Sequence, residues 1–260
     1  MNNNQPFHLV STSPWPFLLS ISTLSLMMSI LMWFNMFLST PLVFNLLTSS
    51  IITFIWWKDI ARESTFQGSH PSFVVTGLRW GMILFITSEF LFFSSFFWTF
   101  FHSSLSPNIN LGMMWPPKNI STLNPTQMPL LNTIILLSSG TSITWAHHSI
   151  LNSNFNESKI SISMTVILGM TFTFLQVLEY LESSFSMSDS IYGSTFFVST
   201  GFHGIHVIIG TVFIMHNTYR LFKMNFSYNH HFGFEAASWY WHFVDVVWLF
   251  LFTMIYWWGS

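Results

Sequence analysis

Cysteine is absent from the 260 residues, which excludes disulfides, thiolate metal sites and cysteine nucleophiles together. Charge is nearly as scarce. Seven Lys and Arg and nine Asp and Glu make up 6% of the chain, where a water-soluble domain carries about 25%. So few charges cannot solvate a globule of this length, and the apolar residues come in long runs rather than amphipathic stripes. With a net charge of -2 and no basic cluster, the footprint needed for a nucleic-acid partner is missing. The first 57 residues hold no Lys or Arg, so neither a secretory n-region nor an Arg-rich transit face is present. The expectation is entry into a membrane without a cleaved address, as in a bacterium or an organelle with its own ribosomes.

What the chain has instead is hydrophobicity, at 51% of residues, and aromatics, at 19%. Read at about 20 apolar residues per crossing, it divides into seven spans at Pro, Asn and charge punctuation. They run from about Trp15 to Leu38, Leu42 to Ser64, Phe73 to Phe101, Leu130 to Leu151, Ile160 to Leu181, Tyr192 to Phe222 and Phe234 to Trp258. The fold class expected is an all-α membrane protein forming one integral domain over 1–260. The third span is too long for an upright crossing, so it tilts or protrudes. One long connection, from His102 to Met128, carries Pro107, Pro116, Pro117 and Pro125 and reads as an ordered, irregular surface loop.

The bases orient the spans. Lys58, Arg62 and Arg79 flank the connection between spans two and three, Lys159 that between four and five, and Arg220 and Lys223 that between six and seven. Only Lys118 falls on the other side. This bias places the N-terminus on the basic, inner side, and a missed span would scramble it.

Several ionisable groups lie within the spans. Glu89 sits deep in span three, where a charge costs roughly 2.5–3.5 kcal/mol on insertion scales, so it faces the bundle or is protonated. It reads either as a proton-relay, lipid-contact or carbodiimide-reactive acid, or as a neutral carboxyl tying two helices together. Arg79 is ten residues away, about 15 Å along a helix, and is not its partner. His203 and His206 share a face of span six. Glu235, His242 and Asp245 share one of span seven, and the five read as a polar interhelix network. Two imidazoles and a carboxylate also suit Zn or Fe, but the residues fall at different depths, and no metal is assigned. Gly201, Gly204 and Gly210 allow a close helix approach. His147 and His148 point about 100° apart and cannot readily share one ion. No haem-type pairing of spaced histidines occurs, so no redox cofactor is expected in the chain. Trp56-Trp57-Lys58-Asp59-Ile60-Ala61-Arg62-Glu63 places two indoles beside a base–acid run at headgroup level, which suits either a phospholipid phosphate or an ordinary aromatic belt.

Assembled, these blocks resemble the mitochondrial-type cytochrome c oxidase subunit 3 family, nearly end to end. The most specific are Arg62-Glu63-Ser64-Thr65-Phe66-Gln67-Gly68, Trp115-Pro116-Pro117, Ser142-Ile143-Thr144-Trp145-Ala146-His147-His148, Gly201-Phe202-His203-Gly204 and Asn229-His230-His231-Phe232-Gly233-Phe234-Glu235-Ala236. The run from Trp239 to Phe250 completes the likeness.

The resemblance implies seven helices, two splayed from five, forming a V-shaped cleft that holds phospholipids. It implies lipid contacts at Trp57, Arg62, Glu63, His70, Phe85, Arg220 and His230, and the buried membrane acid at Glu89. It also implies a non-redox subunit of the proton-pumping oxidase of the mitochondrial inner membrane, with its N-terminus in the matrix and its C-terminus in the intermembrane space. Haem a and copper would lie in partner subunits. Subunit 1 would be its main partner, with subunit 2 and accessory subunits beside it, and its task would be to stabilise subunit 1 and protect the enzyme from turnover inactivation. Two departures stand out: Lys58 where Arg is usual, and Ser95 where Gly often occurs. The rival reading is a proton-conducting or transporter-like protein using Glu89 and the His/Asp cluster, although the inverted repeats and broken helices of such folds are not evident.

Overall fold

A computed structural model of the chain describes residues 7–109 and 112–260; residues 1–6, 110 and 111 of the expected domain lie outside it. Seven α-helices and no strand occur among the described residues. They are α1 (Trp15–Met36), α2 (Thr40–Thr65), α3 (Ser72–Leu105), α4 (Met128–Leu151), α5 (Phe155–Glu182), α6 (Ile191–Phe222) and α7 (Phe232–Leu251), the last continuing as a π-helical turn, Phe252–Trp257. The protein is an all-helical membrane fold. Six of the helices are long and apolar enough to cross a bilayer.

The exception, α4, has the length but not the hydropathy, because Asn132, Thr133, Ser139, Gly140 and Ser142 interrupt it. All five are buried. A helix packed on several sides has little lipid-facing surface, and small polar residues let its neighbours approach and hydrogen-bond.

Helix starts lie outside the apolar runs. Pro16, Pro41 and Pro129 occupy the first turns of α1, α2 and α4, where a missing N–H costs nothing. Asn154 caps α5 by accepting from the Glu157 N–H, so the polar turn before Ile160 is already helical. Ser190 caps α6 through the Tyr192 and Gly193 N–H groups. Hydropathy marks where lipid begins; capping marks where the helix begins. At 34 residues, α3 spans about 51 Å at 1.5 Å per residue, well beyond a hydrocarbon core of about 30 Å.

The chain forms two compact units, Met1–Leu78 and Arg79–Ser260. In the first, α1 and α2 make a hairpin turned at Phe37, which takes a left-handed backbone and returns its N–H to Trp33. Ser22 and Ser29 are buried against α2. Ser25 donates to Asn45 Oδ1 at 2.9 Å, and the Asn45 amide donates back to the Ser25 carbonyl at 3.2 Å. Nearer the basic end, the Trp15 indole donates to Asp59 at 2.7 Å.

In the second unit α4, α5, α6 and α7 close a ring, each touching the next and α7 touching α4. At its centre stands Trp241, fully buried. Its indole N–H donates to Ser139 at 2.8 Å, and its ring fills a slot left by two glycines. A Cβ on Gly169 or on Gly210 would strike it, at 2.8 and 2.9 Å. Of the three glycines expected to admit a neighbouring helix, only Gly210 does so here: a Cβ on Gly201 would just reach the Tyr180 hydroxyl, and one on Gly204 would meet nothing. The rest of α3 lies on α6 and α7 through an aromatic seam, with Phe92 against Phe202 and Phe93 against Phe243.

The long connection is anchored. Trp115 stacks edge-on to Phe100 and Tyr192, and Ile120 and Leu123 pack on the core. Charge also sorts by end. Lys159 lies over the Phe222 ring and Arg79 pairs with Glu235 at one end of this unit, while Lys118 shares a surface hollow with Asp189 on other connections.

Candidate functional site

The seven residues implied as lipid contacts divide between the units. In the first, Trp57 and the Arg62 guanidinium are exposed, Arg62 reaching Asp59 at 3.8 Å. Glu63 meets His8 at 3.2 Å, and the His8 ring lies edge-on to His70, with centroids 5.8 Å apart. His8 ties the segment before α1 to the end of α2, a link the apolar pattern does not signal. Trp57 and Arg62 remain available at one helix end, as a headgroup phosphate requires.

In the second unit Phe85 stacks on Tyr240 at 6.2 Å. Arg220 lies over the Phe226 ring at 4.6 Å, and its guanidinium fills the space a Gly233 side chain would take. His230 is half-buried in the α6–α7 connection, its N–H bound to Ser227.

Glu89 has a specific partner. Its Oε2 lies 3.1 Å from His206 Nε2, while His206 Nδ1 lies 2.7 Å from the Phe202 carbonyl. The acid therefore joins α3 to α6. Arg79, as expected, is elsewhere: it grips Glu235 with two N–H groups, each at 3.1 Å.

The five residues read as one polar network separate into four places. His206 serves Glu89. His203, fully buried, donates from Nε2 to the Val244 carbonyl at 3.2 Å. Glu235, at the start of α7, holds Arg79 and lies 3.4 Å from His231. His242 and Asp245 stand 3.9 Å apart, beyond hydrogen-bond reach, with Asp245 buried against α4 where Gly140 leaves room. The division is geometric. Glu235 and Asp245 are ten residues apart, about 15 Å along α7, and each meets a different neighbour.

One buried acid has no counterpart in the sequence expectations. Glu179 of α5 is inaccessible and accepts from the Tyr256 hydroxyl at 2.5 Å, with the Gln176 amide at 3.5 Å and Asn132 behind it. It ties α4, α5 and the C-terminal π-helical turn. The available signal was a Gln and a Glu three residues apart in an otherwise apolar helix. Ser95 is exposed and donates to its own Phe92 carbonyl at 2.6 Å, so no close packing depends on it within the chain.

Comparison with known proteins supplies the family. The sequence profile described as Cytochrome c oxidase subunit III matches residues 5–260. The chain is 57% identical over 260 residues to the protein named Cytochrome c oxidase subunit 3 from Locusta migratoria, covering 100% of this chain and 98% of that one. It is 55% identical over 259 residues to the protein of that name from Drosophila melanogaster, covering 100% and 99%. It is 56% identical over 262 residues to that from Pisaster ochraceus, covering 100% of both. The buried ties, the exposed indole and base of α2 and the end-to-end match agree, and the chain belongs to the cytochrome c oxidase subunit III family.

Proposed function

We propose that the chain acts as a non-redox, lipid-holding core subunit of the terminal respiratory oxidase, the complex that passes electrons from cytochrome c to oxygen and pumps protons. The observation that carries this reading is family membership across residues 5–260. The internal chemistry agrees with it: buried Glu179, His203, His206 and Trp241 each tie one helix to another. Haem a and copper belong to partner subunits in this reading, and phospholipids are what this chain itself binds. The protein lies in the mitochondrial inner membrane as a multi-pass subunit, with its basic end and N-terminus in the matrix and its C-terminus in the intermembrane space.

Trp57 and Arg62 supply an exposed indole and a guanidinium for phosphate, Glu63 and His70 line the same end of the first unit, and Phe85, Arg220 and His230 serve lipid on the second. The lipids so held support subunit 1, with subunit 2 and accessory subunits completing the assembly. Removing the subunit from the complex and following oxygen reduction over many turnovers tests this. Activity that starts normally and decays faster than in the intact enzyme is expected; undiminished, lasting turnover and pumping would overturn the protective role.

A further inference from the structure

We infer that His147, His231 and Glu235 form a binding site for a divalent transition-metal ion of the zinc type. The three come from the end of α4, the connection before α7 and the first turn of α7, and their donor atoms all lie within 4.8 Å of one another. Two imidazoles and one carboxylate are a zinc donor set that leaves a fourth position for water.

The strongest indication is the orientation of His231. Its side chain is buried, and Nδ1 lies 3.0 Å from the Ser227 carbonyl. A carbonyl only accepts, so Nδ1 carries the hydrogen and the neutral ring presents its lone pair at Nε2. That Nε2 is inaccessible, has no hydrogen-bond partner, and faces Glu235 Oε1 at 3.4 Å. A lone pair and a carboxylate oxygen repel unless something positive sits between them. A histidine whose second nitrogen is fixed by a backbone carbonyl is the arrangement that prepares imidazole for a metal.

Glu235 is prepared as well, since Arg79 donates to both of its oxygens and fixes the carboxylate plane. Arg79 also offsets the carboxylate charge, so the site suits an ion bound chiefly through nitrogen rather than a hard, oxygen-seeking cation. His147 is half-buried, 5.6 Å ring-to-ring from His231. Ligands around a tetrahedral zinc stand about 3.4 Å apart at bond lengths near 2.1 Å, and a swing of the His147 side chain closes the remaining gap. His148 takes no part; it is exposed and turned away on the helix. The bound ion would pin the end of α4 to the start of α7 at the basic end.

The test uses the full chain in phosphatidylcholine vesicles, titrated with Co2+ alone and then with Zn2+. One equivalent of Co2+ should give the intense visible band of four- or five-coordinate cobalt, and Zn2+ should remove it. His231→Ala and the milder His147→Gln should each weaken binding at least about tenfold, with His148→Ala unchanged. Only the weak absorption of octahedral cobalt, as lipid phosphate would give, overturns the site. So does equal binding by His147→Gln and the unaltered chain, which needs no tolerance of a change at buried His231.

Discussion

Glu89 Oε2 lies 3.1 Å from His206 Nε2, a polar bridge between α3 and α6. His206 Nδ1 is committed to the Phe202 carbonyl at 2.7 Å, so the Nε2 facing Glu89 at 3.1 Å carries a lone pair in the neutral ring. A hydrogen bond across this gap needs a donor on one side, which a carboxyl or an amide at position 89 can supply to the ring. Two helices that each present an apolar seam of phenylalanines are joined by one polar contact.

The pair therefore tolerates a neutral donor and rejects an apolar one. Glu89→Gln keeps an N–H for Nε2 and should unfold within about 0.5 kcal/mol of the unaltered chain, while Glu89→Leu should lose about 1–2 kcal/mol. Denaturant unfolding in detergent micelles measures both. Equal stability of the two variants would mean that the tie contributes nothing. A Glu89-dependent proton leak through the reconstituted chain would favour the proton-conducting rival.

The Trp241 slot gives a sharper contrast. Gly169→Leu and Gly210→Leu drive side chains into the indole and should each cost about 1–3 kcal/mol or more. Gly204→Ala meets open space and should be neutral or up to about 1 kcal/mol stabilising through helix propensity. Melting of the three variants as isolated chains decides; a costly Gly204→Ala would contradict the assignment.

Tyr256 is the closest partner of buried Glu179. Removing its hydroxyl in Tyr256→Phe should cost about 1–3 kcal/mol, because the carboxyl then loses a donor it cannot replace with water. Combining it with Glu179→Met should restore much of that loss. A double-mutant cycle reads the coupling; purely additive effects would show that the two do not act as a unit.

Lipid retention separates the bases of the two units. Arg62→Ala and Arg220→Ala should each release bound anionic phospholipid several-fold faster, whereas Lys58→Ala should have a smaller effect, since an ammonium lacks the two-pronged fit of guanidinium to phosphate. Native mass spectrometry of the detergent-solubilised chain counts what stays. Identical release from all three would remove the headgroup assignment.

Six spans were legible because hydropathy adds up along the chain, and α4 because punctuation by Pro and Asn frames a helix of the right length. The ends were less so: α5 begins at Phe155, since a polar turn capped by Asn154 is helical without being apolar. Glu89 was legible as an acid with an interhelix purpose. Its partner was not, because His206 is 117 residues away and nothing local to either residue names the other.

The same division holds for the rest of the molecule. The sequence by itself determined the class and the number of helices, because both follow from transfer energies summed over neighbouring residues. Only tertiary structure decided that Arg79 serves Glu235, that the histidines of α6 and the acids of α7 occupy separate places, and that His147 meets His231. Those depend on how each helix is rotated and which helix lies beside it, and packing sets both only when the whole unit closes.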